Sequence, residues 1–142
     1  MQNSNYPTRR FDGIWRSDYT YHSSDRDENL LAQNYVRIYP KGNEIIIESI
    51  PEVNDSYVLA RLTVDGNVAT GAWQKVSNPK GEYKGTIYHG AAQLVISDDE
   101  KTLEGMWVGF GRKMVVKDGP WKLTFLGEEP SVLDNEPRIV SQ

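Results

Sequence analysis

The chain has no cysteine among its 142 residues. That excludes disulfides, thiolate metal sites and a cysteine nucleophile. No apolar run approaches the roughly 18 residues a membrane helix needs. The first ten residues, MQNSNYPTRR, hold no apolar stretch. They do not read as a secretory signal, so the expected compartment is the cytosol. An excess of positive charge is missing too: the net charge is −4 and the isoelectric point about 5.2. That balance argues against a phosphate-binding surface for DNA or RNA and leaves room only for a small basic pocket. Histidine is scarce. His22 and His89 are the two present, and neither has the carboxylate spacing of a metal site, so no metal or cofactor is expected. The chain lacks a Gly-x-Ser-x-Gly elbow and a Gly-x-Gly-x-x-Gly turn, and GFGRK at Gly109 has neither the spacing nor the hydroxyl residue of a P-loop. The acidic pairs Asp98-Asp99 and Glu128-Glu129 fall in a turn and a tail and read as solvated charges.

What is abundant is aromatic residues and glycine: four Trp, eight Tyr and twelve Gly. They recur together. FDGIW begins at Phe11, ATGAW at Ala69, YKGTIY at Tyr83, LEGMW at Leu103 and DGPW at Asp118. Between these motifs the chain reads as strands separated by turns. NYVRIYP stops at Pro40, KGN turns, and EIIIESI stops at Pro51. SYVLARLTV alternates, with Val58, Ala60, Leu62 and Val64 on one side. Asp65-Gly66-Asn67 is a hairpin turn, with Gly66 supplying the positive φ. VATGAWQKV follows, then the turn SNPKGE. YKGTIYHGAAQLVI is a long strand with a bulge expected near Gly90. LEGMWVGFG follows, and KMVVKDGPWKLTFL closes the series with a break or bend expected at Gly119-Pro120. One short helix is allowed for, over SDRDENLLAQ, capped by Ser24 or Asp25.

About eight strands with a turn roughly every ten residues predict an all-β protein, a single antiparallel up-and-down barrel. The expected organisation is a flexible N-terminus over 1–10, a β-barrel domain over 11–127 and a flexible acidic C-terminal tail over 128–142. Eight meandering strands close into a barrel just wide enough for packed side chains or one small ligand. Period-two alternation puts Gly13 with Trp15, Gly71 with Trp73 and Gly105 with Trp107 on shared faces. The plain reading is that these glycines bend strands while the aromatics plug the interior.

The GIW opening of the first strand, with TGAW and LEGMW, resembles the Gly-x-Trp strands of calycin barrels, the lipocalins, fatty-acid-binding proteins and avidins. Over Gly13 to Leu126, YTYHSSDR, VATGAW, YKGTIYHGAAQLV, EGMWVGFGRK and GPWKLT resemble a domain found C-terminal to helix-turn-helix segments in actinobacterial regulators. The chain has no helix-turn-helix of its own, so DNA binding is not implied. In layout, the order Gly-x-Trp, Asn-Pro and Leu-x-Gly-x-Trp is similar to the sensing barrel of membrane-anchored effectors in bacterial cyclic-oligonucleotide antiphage signalling. That resemblance implies a cyclic dinucleotide as ligand, held by a soluble sensor or sequestering protein.

Beside the aromatics lies a polar set. Tyr19, Tyr21 and Ser23 share the face of Trp15, and Arg26 follows. Lys75 shares a face with Trp73, and Phe110, Arg112 and Lys113 follow Trp107 toward a strand end. Rings stack flat ligands and guanidinium or ammonium groups take anions. The expected binding residues are therefore Tyr19, Tyr21, Ser23, Arg26, Trp73, Lys75, Trp107, Phe110, Arg112 and Lys113, around a planar anion such as a nucleotide. For each the alternative is structural: core tyrosines, and cations facing water like Arg37 and Arg61. Two further functions stay open. YTY and GTIY are similar to phenolic acid decarboxylases, which implies an enzyme acting on aromatic acids, with Glu48 the weak point because alternation turns it outward. Exposed Tyr39, Tyr57 or Tyr88 would instead suit a protein interface or a homo-oligomer.

Overall fold

The structure is a computed structural model that describes residues 11–23, 27–54, 56–77, 80, 85–111 and 113–136. Eight strands form one closed antiparallel barrel in sequence order. They are β1 (Gly13–Ser23), β2 (Glu28–Lys41), β3 (Glu44–Ser49), β4 (Tyr57–Asp65), β5 (Val68–Val76), β6 (Ile87–Ile96), β7 (Thr102–Phe110) and β8 (Lys117–Gly127). β8 closes on β1 from Tyr19↔Trp121 to Ile14↔Gly127, with a register shift between Ile14 and Trp15. Closure leaves no sheet edge to pair with another chain. The barrel is all-β and up-and-down as its pattern predicted, and it is compatible with a calycin-like barrel. Among the described residues no helix is long and apolar enough to cross a membrane.

The two rims differ. At one, β2 to β3 and β4 to β5 are joined by two-residue links whose glycines, Gly42 and Gly66, have φ of 64° and 63°. At the other rim, β3 to β4, β5 to β6 and β7 to β8 take seven, ten and six residues. The short-link rim is sealed. Trp15 is fully buried, its indole N–H donates to the Phe11 carbonyl at 2.9 Å, and its ring meets Phe125 edge-on at 5.4 Å. Phe11 reaches this position with φ of 69°, a left-handed conformation uncommon for a bulky residue. Val36, Ile38, Ile45, Ile47, Leu62, Leu94, Leu103 and Leu123 fill the interior next to them.

Three local expectations are corrected. The segment SDRDENLLAQ is not a helix where it is described: Glu28–Gln33 belong to β2, paired with Asp18–Ser23. The upper half of β1 needs a ladder partner on that side, and this requirement overrides local helix propensity. The caps Ser24 and Asp25 lie outside the described residues. The helical pieces are instead two 3-10 turns, Pro51–Val53 and Pro130–Asn135. Gly90 is not bulged, because β6 keeps register with both neighbours through it. β8 runs unbroken through Gly119 and Pro120. Proline offers no N–H, but β1–β8 pairing stops at Tyr19↔Trp121, so the ladder asks none of it. The Thr20 carbonyl on β1 instead accepts the Trp107 indole N–H at 3.1 Å.

The tail is also not wholly solvated. Pro130–Asn135 packs on β1 and β8, Val132 lies against Gly127, and Glu136 accepts a hydrogen bond from the Tyr35 hydroxyl at 3.4 Å. Tyr35 and Ile14, which alternation turns outward, are buried on this side. Burial first, and then the Glu136 carboxylate, hold the Tyr35 hydroxyl above its ordinary pKa. Residues 1–10 and 137–142 lie outside the described residues.

Candidate functional site

Glycine and aromatic do pair, but across strands rather than along one. Trp73 stands opposite Gly90, Trp107 opposite Gly119 and Trp121 opposite Gly105. A Cβ on Gly90 would lie 2.4 Å from the Trp73 ring, and one on Gly109 would meet the same ring at 2.4 Å. The two glycines of neighbouring strands thus form the seat on which the indole rests, an aromatic covering a glycine as in other curved sheets. Gly111 does the same for the Tyr88 ring, where a Cβ would fall 2.4 Å away.

These seats stack the rings in the long-link half of the interior. Trp73 and Trp107 meet edge-on at 5.9 Å, Trp107 and Tyr19 edge-on at 6.4 Å, and Tyr19 and Tyr21 at 6.1 Å. Tyr19, Tyr21 and Trp73 point inward yet remain half-buried, so solvent reaches the interior from this rim. Their polar handles are largely spent. All four indole N–H groups donate within the protein, to Phe11 O, Ala91 O, Thr20 O and Ser17 Oγ. What the tryptophans offer a visitor is their carbon surface.

The polar exception is Lys75. It rises from β5, four strands away from β1 in an eight-strand ring and so on the opposite wall. Its Nζ crosses the interior to donate to the Tyr19 hydroxyl at 2.6 Å. It lies 5.2 Å from the Tyr19 ring centroid and 5.9 Å from that of Tyr88, the distance range of cation–π contact. No carboxylate of the described residues pairs with it; the ion pairs of the barrel, Arg16–Asp18, Arg37–Asp12, Arg61–Glu44 and His22–Asp27, involve other residues. Among the described residues, two of its three N–H bonds and the Tyr19 O–H meet no acceptor.

Of the residues expected at a site, the structure brings together Tyr19, Tyr21, Trp73, Lys75 and Trp107. It moves Phe110 away. Gly109 points inward, so Phe110 points outward, where it stacks on His89 at 6.0 Å. Lys113 is exposed in the β7–β8 link. Arg26, Arg112 and the Ser23 side chain lie outside the described residues. Tyr88, read as an exposed interface residue, faces inward over Lys75. Its parity with Gly90, Ala92 and Leu94 carried that signal in the sequence. Glu48 and Tyr57 meet on the outer face, where the Tyr57 hydroxyl donates to Glu48 at 3.1 Å. Burial and this carboxylate raise the Tyr57 hydroxyl above its ordinary pKa. Glu48, the carboxylate of the decarboxylase reading, is thus on the outer face and away from Tyr19 and Tyr21. Among the described residues no three His, Asp or Glu side chains are grouped to hold a metal ion.

No family model and no curated protein matches the chain.

Proposed function

We propose that the barrel binds a small, flat, anionic molecule at its long-link rim without catalysing its reaction. The observation that carries this is Lys75: a cation directed into an aromatic-lined interior, met by a tyrosine hydroxyl and by no described carboxylate. A protein that needed only a plug would place an apolar residue there, since a cation among rings loses hydration without gaining a counter-charge. An anion supplied from solution restores the balance, and the carbon surfaces of Trp73, Trp107 and Tyr21 take its ring.

The test is a thermal-shift and tryptophan-fluorescence screen of the full chain against AMP, cyclic di-AMP, cyclic di-GMP and benzoate-type ring carboxylates. Binding at 100 times Kd raises stability by about 2.7 kcal/mol, several degrees for a domain of this size. Lys75→Met should weaken any ligand found by about tenfold or more. No response to any probe at millimolar concentration overturns the reading.

A further inference from the structure

Most inward polar groups besides Lys75 are matched. Ser17 Oγ accepts from the Trp121 indole at 2.8 Å, Ser49 Oγ accepts from the Val58 N–H at 2.8 Å, and Ser77 Oγ donates to the Thr86 carbonyl at 3.3 Å. Asn34 is different. It is 3% exposed, and its parity with Val36 and Ile38 on β2 aims it into the barrel. Its Oδ1 accepts a long hydrogen bond from Ser56 Oγ at 3.4 Å. Among the described residues nothing accepts from its Nδ2. Buried amides are nearly always satisfied, because an unmet one keeps the full cost of leaving water. Leucine at this position would carry no such cost.

The place of Asn34 gives the unmet amide a use. Tyr19 pairs with Ala32 and Ser17 with Asn34. Asn34 is thus one inward step deeper than Tyr19 and diagonal to it, a spacing of roughly 7–8 Å between such neighbours. The site therefore offers donors on two tiers of the register: Lys75 Nζ and Tyr19 O–H above, Asn34 Nδ2 below. Lys117, at the rim, is turned onto the His22 carbonyl at 3.2 Å.

We propose that Asn34 is a second anchor of the ligand site, and that the ligand is a small ring carboxylate bearing a hydrogen-bond acceptor, a carbonyl or ring nitrogen, at the end opposite its anionic group. The carboxylate meets Lys75 and Tyr19, the ring lies against Trp73 and Trp107, and the acceptor takes the Asn34 amide. This rests on the reading of the barrel as an anion binder and narrows it to one chemical class. One inward step between the two tiers suits a substituted single ring better than a longer molecule.

Two probes of the same charge and nearly the same shape test it: 4-acetylbenzoate, which carries the acceptor, and 4-isopropylbenzoate, which does not. Affinities are measured by calorimetry on the full chain and on Asn34→Leu and Lys75→Met. The wild type should prefer the acetyl probe about tenfold, since a site built to hydrogen-bond a group rejects an isostere lacking it. Asn34→Leu should abolish that preference while still binding the isopropyl probe, and should melt at a higher temperature than the wild type without ligand. Lys75→Met should weaken both probes alike. If Asn34→Leu does not fold, Asn34→Ala carries the same comparison. Both probes binding the wild type without preference, or a preference surviving at residue 34, overturns the role of Asn34 and leaves the anion-binding function standing. Binding of a nucleotide but of neither benzoate also overturns the narrowed class alone. Silence toward nucleotides and benzoates together overturns both.

Discussion

The two halves of this barrel use the same residue types for opposite ends. In the short-link half, Trp15 and Phe125 meet edge to face with the indole N–H capped by the Phe11 carbonyl, the interior beside them is aliphatic, and a cation, Lys101, lies over the Phe125 ring at 4.2 Å. In the long-link half, Trp73, Trp107 and Tyr19 are also edge to face with indoles capped, but Lys75 reaches in among them and Tyr19 and Trp73 remain half-buried. Aromatic content alone therefore says nothing about binding. The difference lies in what faces the interior: the described interior of the sealed half is apolar with its indole N–H capped, whereas the other half turns Lys75, Tyr19 and Asn34 inward beside partly wet rings.

Substitutions that act on only one half sharpen this contrast. Trp15→Ala should have the largest effect, about 3–5 kcal/mol lost, because the ring is fully buried and its cavity cannot collapse between strands of a closed barrel. Thermal denaturation should show a fall of roughly 10–20 °C for a chain of this length. A fall of only a few degrees would mean the sealed half is not the stability core. Gly90→Ala comes next. Its methyl would meet the Val108 carbonyl at 2.1 Å as well as the Trp73 ring, so the strand itself must shift. A cost of about 1–3 kcal/mol is expected, with a changed tryptophan emission from the displaced indole. Unchanged emission would remove Gly90 from the seat of Trp73.

Lys75→Met should move the unfolding midpoint by only a few degrees in either direction while removing anion binding. A large destabilisation would recast Lys75 as a structural strut between opposite walls. The smallest effect belongs to the sealed rim's own turn. Asp99 accepts from Ser97 Oγ at 2.7 Å and from the Lys101 N–H at 3.0 Å, and these bonds hold its pKa below the ordinary carboxyl value. A depressed folded-state pKa contributes stability above the unfolded carboxyl pKa and loses it as pH falls through the folded value. Asp99→Asn should therefore melt slightly lower than wild type at neutral pH, and the two midpoints should converge in strong acid. A gap that persists there would point to lost geometry rather than lost charge.

Much of the architecture was readable from local pattern. The alternation of Val58, Ala60 and Leu62 and the positive-φ glycines of the two-residue links gave strands and turns their places, because both depend on a few adjacent residues. SDRDENLLAQ misled for the complementary reason. Its helical composition is outweighed by the ladder that the upper half of β1 requires, and that ladder is not local. Phe110 and Tyr88 show the same limit within strands: both are aromatic and both sit near the long-link rim, but a one-residue difference in parity sends one outside and the other over Lys75.

By itself the sequence determined that the chain would be an eight-strand antiparallel barrel rich in inward rings, since period-two patterning and turn chemistry are written residue by residue. Only the tertiary structure decided which glycine seats which indole, that Pro120 falls where no ladder bond is needed, and that no described residue accepts from the buried Asn34 amide. The Lys75–Tyr19 contact joins residues 56 positions apart on opposite walls. It exists because the barrel closes, and closure is a property of all eight strands together rather than of any stretch within them.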